Sequence, residues 1–239
     1  MGDIRIGTSG WSYDHWDGVF YSKGLSAKSR LDYYAQKLDT VEVNYSFYRL
    51  PGEKSFLKWR ESTPEGFVFA LKASRSITHQ KKGSSYLAHL LLKRAKLLEE
   101  KLGPILFQFP PTFEKNEENT LQLLKLIPTG VRAAVEFRNH LWHSDETLQL
   151  LKERCIAYCI VSAPGFAPIF RATCDFTYLR LHGSKSWYRS SYSKSELERF
   201  ADEVSNFARE GLDVFVYFNN DYQGFAVRNA LKLKEMLFA

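Results

Sequence analysis

The residues best equipped for chemistry stand at or near the C-terminal ends of short apolar runs. Glu42, Lys72, Gln108, Glu136, Arg138, Arg180 and His182 are placed this way, and Asn44, Asn219, Asn220 and Asp221 close two further runs. Alternate side chains of a strand share a face. Glu136 and Arg138 therefore oppose Val135 and Phe137, and Arg180 and His182 oppose Leu179 and Leu181. Two carboxylates, three cations and a titratable imidazole in one pocket suit proton transfer on an anionic substrate. Glu136, Glu42 and His182 would move protons, while Lys72, Arg138 and Arg180 grip phosphate or carboxylate. Asn44, Gln108, Asn219, Asn220 and Asp221 add polar contacts. The same charges admit a second reading, because buried charges need partners: a structural ion-pair network plugging the interior. Mutation separates the two. A catalytic pocket loses turnover on Glu136→Gln or Arg180→Ala with its melting temperature nearly intact; a plug loses stability.

Neighbouring segments supply further candidates. Trp11 and Tyr13 follow Gly7-Thr8-Ser9-Gly10, and Trp142 follows the Glu136 run; these rings would shape the pocket. His79, after Thr78, would position substrate or transfer protons. The stretch 183–193 carries Lys185, Trp187, Tyr188, Arg189 and Tyr192 among serines. Basic residues interleaved with rings suit stacking on bases and phosphate contact, so together with Lys81 and Lys82 they support a non-catalytic nucleic-acid-binding alternative. Gly183 and Gly224 lie where barrels frequently bind phosphate through backbone amides. Glu42, Glu136, His182 and Asp221 could converge on a divalent cation for phosphodiester hydrolysis, but three adjacent cations oppose a metal, and none is favoured. A Glu42/Glu136 pair also suits glycoside hydrolysis, whose outcome depends on a carboxylate separation the sequence does not supply. No cofactor is specified: there is no GxGxxG and no GxxxxGK[ST], and Ser9 has no GxSxG setting.

Eight runs read as strands: 3–8, 40–44, 67–73, 105–109, 132–138, 156–162, 176–182 and 213–219. Helical patterns separate most of them, at 26–38, 53–61, 85–101, 117–127, 144–154, 193–209 and 225–238. Alternation of this kind demands parallel strands with crossover connections. Eight units in 239 residues is the arithmetic of an α/β (β/α)8 TIM-like barrel in one domain, for which ~250 residues is typical. The unit after strand six is irregular: 163–174 holds Pro164, Gly165 and Pro168 and lacks room for a full helix. Barrel chemistry sits at the C-terminal strand ends, where the candidate residues fall.

Composition fits a folded globular chain, with 44% apolar residues, 15% aromatic and a net charge of +6. No apolar run approaches the ~18 residues of a membrane span. Residues 75–101 hold seven basic against two acidic residues, five of the six net charges. Lys93, Arg94, Lys96 and Lys101 read as the solvated face of a helix whose inner face carries Leu87, Leu90, Leu91, Ala95 and Leu98. Cys155, Cys159 and Cys174 form no metal or disulfide pattern and read as buried reduced thiols. With no secretory pattern at the N-terminus, the expected location is cytoplasmic.

The motifs together resemble the YecE-like family, known as domain of unknown function 72. The resemblance rests on Gly7-Thr8-Ser9-Gly10-Trp11-Ser12-Tyr13 with Trp16, Glu42-Val43-Asn44 with Phe47-Tyr48, and Lys72 with Thr78-His79. It continues through Leu102-Gly103-Pro104 to Pro110-Pro111, Val135-Glu136-Phe137-Arg138 with Trp142, Tyr178 to Gly183, and Tyr217-Phe218-Asn219-Asn220-Asp221. It implies a TIM barrel and supplies no activity. A relation to the endonuclease IV and xylose isomerase barrels would imply clustered metal-binding histidines and acids, which this sequence lacks.

Overall fold

The computed structural model describes residues 1–44, 50–80 and 84–238; Lys81 and Lys82, and the Phe47-Tyr48 pair of the family motif, lie outside them. Eight parallel strands close into a barrel in chain order: β1 (Ile4–Ser9), β2 (Thr40–Val43), β3 (Val68–Lys72), β4 (Leu102–Phe109), β5 (Ala133–Phe137), β6 (Ala157–Ser162), β7 (Phe176–Leu181) and β8 (Asp213–Phe218). β8 pairs with β1 through the register Ile4↔Val214 to Thr8↔Phe218 and closes the ring. The eight-strand expectation holds, with ends shifted by a residue or so except at β4, which starts three residues earlier.

Among the described residues, seven helices of six residues or more cover the barrel, with a single helical turn at Arg75–Thr78: α1 (Arg30–Ala35), α2 (Glu53–Glu61), α3 (Ser85–Ala95), α4 (Glu117–Leu126), α5 (Asp145–Glu153), α6 (Lys194–Arg209) and α7 (Phe225–Phe238). The starts of α3, α4, α5 and α6 follow from side-chain capping. The hydroxyl of Ser144 accepts from the Thr147 amide ahead of α5, and Ser193 with Glu196 forms a reciprocal capping box on α6. The connection from β6 to β7 carries no helix, as its prolines and glycine imply. None of the described helices is long and apolar enough to cross a membrane.

Alternation divides the apolar residues into two cores. Outward-facing Val41, Phe69, Phe107, Val135, Leu179 and Val216 pack under the helices. Inward-facing Ala70, Leu106, Ala134, Cys159, Tyr178, Phe215 and Tyr217 fill the lumen. The small residues on β3, β5 and β6 leave space that the long side chains of β7 and β8 occupy, so the barrel is filled rather than hollow.

Several surface expectations change. The 85–101 helix ends at Ala95, a 3-10 stretch follows, and Glu99 takes a positive φ. Lys101 is buried, its ammonium donating to the carbonyls of Arg60 (2.7 Å) and Thr63 (2.6 Å), so it pins α2 rather than solvating a face. Arg94 donates to the Pro51 carbonyl at 2.7 Å. Of the cysteines, only Cys159 is buried; Cys155 is exposed and Cys174 partly so.

Candidate functional site

The lumen ends, at the C-terminal side of the strands, in an ionic layer. Arg180 on β7 is its hub. One terminal nitrogen donates to Glu136 on β5 at 2.6 Å and the other to Glu42 on β2 at 2.7 Å and to the Ser9 hydroxyl at 3.1 Å. Glu42 also accepts from the Ser9 hydroxyl and from the Tyr178 phenol at 2.7 Å. Glu136 also accepts from Arg138 Nε. Asn44 donates to Ser9 at 2.9 Å. A second tier lies above. Arg138 Nη2 approaches His182 Nε2 at 3.2 Å, and Asn219 faces His182 Nδ1 at 3.0 Å. Arg138 Nη2 and the Asn219 amide nitrogen both donate, so a neutral ring accepts from one of the two and its tautomer follows which. Trp187 folds down over Arg138, ring to guanidinium 4.5 Å, and lies 5.3 Å from the His182 ring. Gly183 permits the turn that brings Trp187 there: its φ is +99°, and a Cβ would meet the Ser190 hydroxyl and Ser186 carbonyl below 3 Å.

Burial sorts these residues by what a ligand could reach. Glu42, Glu136, Arg180 and His182 are fully buried, whereas Lys72 and Gln108 keep 7% and 8% of their surface and the Arg138 side chain 12%. The titrating group follows from the charges. Burial pushes the Glu42 and Glu136 carboxyls up, but the Arg180 charge on both, with Arg138 on Glu136, outweighs it, and both are held below the ordinary carboxylate range. Burial drives His182 down to about 3 despite its contact with Glu136, so the ring is neutral at pH 7. Two guanidiniums thus balance two carboxylates, and Lys72 adds a third cationic group that interacts with all four. Burial, then Arg180, lower its pKa to about 7 against the pull of Glu136 and Glu42.

The two carboxylates and His182 are therefore poor proton carriers near neutrality, contrary to the acid/base roles expected of them, and both terminal nitrogens of Arg180 are taken by Glu136, Glu42 and Ser9, leaving only its buried Nε without a partner. The Arg180 contacts favour the ion-pair reading for this lower layer. His182 also shapes acid stability. Its folded pKa lies below the unfolded ~6.5, so the unfolded chain binds more protons between those values and stability falls as pH drops from about 6.5 toward 3, by up to roughly 1.4 kcal/mol per unit. His79, held down to about 4 by burial and by Arg75 and Lys72, acts in the same sense. Denaturant titrations at pH 7, 6 and 5 should show a shallower slope in His182→Asn than in wild type; equal slopes would refute this account of the ring.

Other expected site residues lie elsewhere. Trp142 is fully buried outside the barrel, stacked on Phe137 and Phe113 with its indole nitrogen donating to the Phe113 carbonyl at 2.8 Å, so it belongs to the strand–helix core. Asn220 is fully buried and donates to the Ser190 carbonyl and to Asn229, tying the β7 loop to α7. Asp221 pairs with His15 at 3.5 Å. Trp11 and Tyr13 line a cleft of about 480 Å³ with Asn44, Ser55 and Trp59, while His79 lines a polar cleft of about 430 Å³ with Thr112, Asn116 and Gln122. Lys185 and Arg189 are exposed, Arg189 resting on Tyr222 at 4.9 Å. Ser9 and Tyr178 also belong to the ionic layer; both lie inside the family motifs, which gave neither a role. The signal was present: Tyr178 shares the alternation of Arg180 and His182, and Ser9 ends β1. Among the described residues, no three His, Cys, Asp or Glu side chains are grouped to hold a metal ion.

A closed parallel barrel carrying its ionic layer at the C-terminal strand ends defines a (β/α)8 protein. The sequence matches the family described as "Protein of unknown function DUF72" over residues 5–239, and the chain belongs to that family. It is 31% identical to the UPF0759 protein YunF of Bacillus subtilis (strain 168), over 98% of this chain and 94% of that protein. The UPF0759 protein YecE of Escherichia coli (strain K12) is 31% identical over 57% of this chain and 48% of its own length. Among solved structures, a DUF72 family protein from Thermotoga maritima MSB8 superposes with a TM-score of 0.91 at 30% identity, covering 99% of this chain and 100% of that one. One from Enterococcus faecalis V583 gives 0.87 at 25% identity, covering 99% and 96%. The family resemblance and the fold read from the sequence are both borne out.

Proposed function

We propose that this protein is an enzyme acting on a small anionic substrate, a phosphorylated or carboxylated sugar-like or nucleotide-like molecule, at the C-terminal mouth of the barrel. The observation that carries this reading is the gathering of three cationic side chains, Lys72, Arg138 and Arg180, at the C-terminal strand ends, where the Arg138 side chain stays 12% exposed beneath Trp187. Arg138, part-exposed and always cationic, is the anchoring group. Gln108 and Asn219 offer neutral hydrogen bonds, and Trp187 backs the site. Lys72, titrating near neutrality, takes over the proton-transfer role first given to the carboxylates.

A thermal-shift panel of sugar phosphates, nucleotides, uncharged sugars and short oligonucleotides tests this. Ligands that bind the native state stabilise it, by ~2.7 kcal/mol at a hundredfold excess over Kd. A phosphorylated compound should raise the melting temperature by several degrees, its uncharged parent should not, and Arg138→Met should remove the difference. If oligonucleotides alone stabilise the protein, with steep salt dependence, a nucleic-acid surface replaces this reading.

A further inference from the structure

We infer that the cleft between the ends of β1 and β2 and helix α2 is a subsite for an uncharged sugar ring, and that the substrate is a hexose phosphate whose ring packs on Trp11 and Trp59. The inference rests on the anion-site reading above and names the substrate class of the same site.

The position of the cleft is the first support. Gly10 to Tyr13 continue β1 and Asn44 continues β2, so the cleft, about 480 Å³, opens on the same face of the barrel as the ionic layer. That volume lies within the ~300–1,000 Å³ of small-molecule sites. Asn44 joins the two places. It lines the cleft and donates to the hydroxyl of Ser9, which also accepts from Arg180 at 3.1 Å. Val43 pairs with Leu71, so Asn44 and Lys72 leave the barrel on neighbouring strands. A ring in the cleft can therefore direct an anionic substituent toward the cations.

The walls of the cleft are aromatic and fixed. Trp11 and Trp59 meet edge to face, with centroids 6.0 Å apart and planes at 86°. Phe56 and Phe69 brace Trp59 from behind, at 5.2 and 6.2 Å. The Tyr21 hydroxyl holds the Trp11 carbonyl, and the Tyr13 hydroxyl holds that of Ser9. Ser55 and Trp59, four residues apart on α2, share the face that looks into the cleft. The rings of Trp11, Tyr13 and Trp59 nevertheless stay partly exposed. Rigid ring surface in a concave place is thus left for a ligand to cover.

Chemistry then selects the ligand. None of the described lining residues is charged; the polar groups are the hydroxyls of Ser12, Tyr13 and Ser55 and the Asn44 amide. Each of these both donates and accepts hydrogen bonds, as sugar hydroxyls do. The negative face of an indole attracts the polarised C–H groups on one side of a sugar ring. Perpendicular indoles form a corner, not the parallel-walled slot that sandwiches a flat base, and a puckered ring fits that corner better.

Hydroxyl-radical footprinting of the intact protein at pH 7, mapped by peptide mass spectrometry, tests this. The probes are the 6-phosphates of glucose, galactose and mannose, with inorganic phosphate and adenosine monophosphate alongside. Oxidation is normalised to Tyr86, which is 73% exposed and outside the cleft. At least one hexose phosphate should lower oxidation of both Trp11 and Trp59 by about threefold or more, as expected of a ligand mostly enclosed by its pocket. Inorganic phosphate should leave both rings unchanged. Ser55→Trp, which fills the cleft from α2, should abolish the extra thermal stabilisation that the hexose phosphate gives over inorganic phosphate. The wild-type footprint decides the question even if that variant folds poorly. No protection of the pair by any hexose phosphate, or protection by adenosine monophosphate at least as strong, overturns the inference. The thermal shifts separate the two failures: stabilisation by inorganic phosphate without ring protection leaves the anion site standing, and neither response removes both.

Discussion

Replacing Arg180 by alanine should lower stability by about 3–5 kcal/mol, the range for breaking a buried ion pair on one side. The substitution leaves Glu42 and Glu136 fully buried with their shared counter-ion gone. Arg138 retains its bond to Glu136, but Glu42 keeps only Ser9, Tyr178 and the more distant Lys72. Each carboxylate must then either stay charged in a dry interior or take up a proton. Burial, which now works against the arginine charge, would raise both pKa values once that charge is removed. This reverses the outcome expected of an anion clamp, whose loss would silence turnover and spare the fold. Denaturant unfolding at pH 7 measures the difference, and a loss below 1 kcal/mol would refute the hub assignment. A compensated variant, Arg180→Met with Glu42→Gln and Glu136→Gln, should recover most of the loss, since a buried ionic cluster can often be exchanged for neutral groups of similar volume. Recovery would show that the penalty in the single variant is uncompensated charge and not lost packing around β7.

The barrel was legible in the sequence because strand alternation and crossover helices leave local marks. Val135 and Phe137 against Glu136 and Arg138 state which face is which, and Ser144 and Ser193 state where helices start. Membership of the ionic layer was legible for the same reason. What alternation does not encode is depth and partnership. Arg138 and Arg180 look equivalent on paper, yet one is part-exposed under Trp187 and the other is sealed between two carboxylates on strands far apart in the chain. Tyr178, though it opens a family motif, suggests no role because a tyrosine in an apolar run reads as core until Glu42 is known to lie across the lumen from it. Trp142 was misplaced because residues beyond a strand end inherit no face from the strand. Lys101 was misread because a lysine in a basic run resembles a solvated one unless the carbonyls of Arg60 and Thr63 are seen around its ammonium.

Lys72→Met should make the protein more stable while abolishing its chemistry. The depression of the Lys72 pKa from the usual amine range to about 7 measures how poorly the folded site tolerates the ammonium. At 1.36 kcal/mol per unit, removing that charge is worth at most roughly 4–5 kcal/mol, and a net gain of about 1–3 kcal/mol is expected after loss of the amine's own contacts. Methionine keeps the length and flexibility of the stem, which limits any cavity. The sign has a pH signature. The unfolded lysine holds its proton up to ~10.4 while the folded one releases it near 7, so the unfolded state binds more protons between those values and wild-type stability rises with pH. Above ~8.5 the cysteines act in the opposite sense, because burial raises Cys159 and Cys174 in the folded state while the unfolded thiols ionise. The informative window is therefore pH 7 to ~8.5, across which wild type should gain up to about 2 kcal/mol that Lys72→Met does not. Parallel pH slopes for the two proteins, or a variant less stable than wild type throughout, would mean that the ammonium is well accommodated and that Lys72 is held for packing. A stabilised variant that no longer responds to anions would instead identify Lys72 as a residue retained at the expense of the fold, as expected where function requires a strained group.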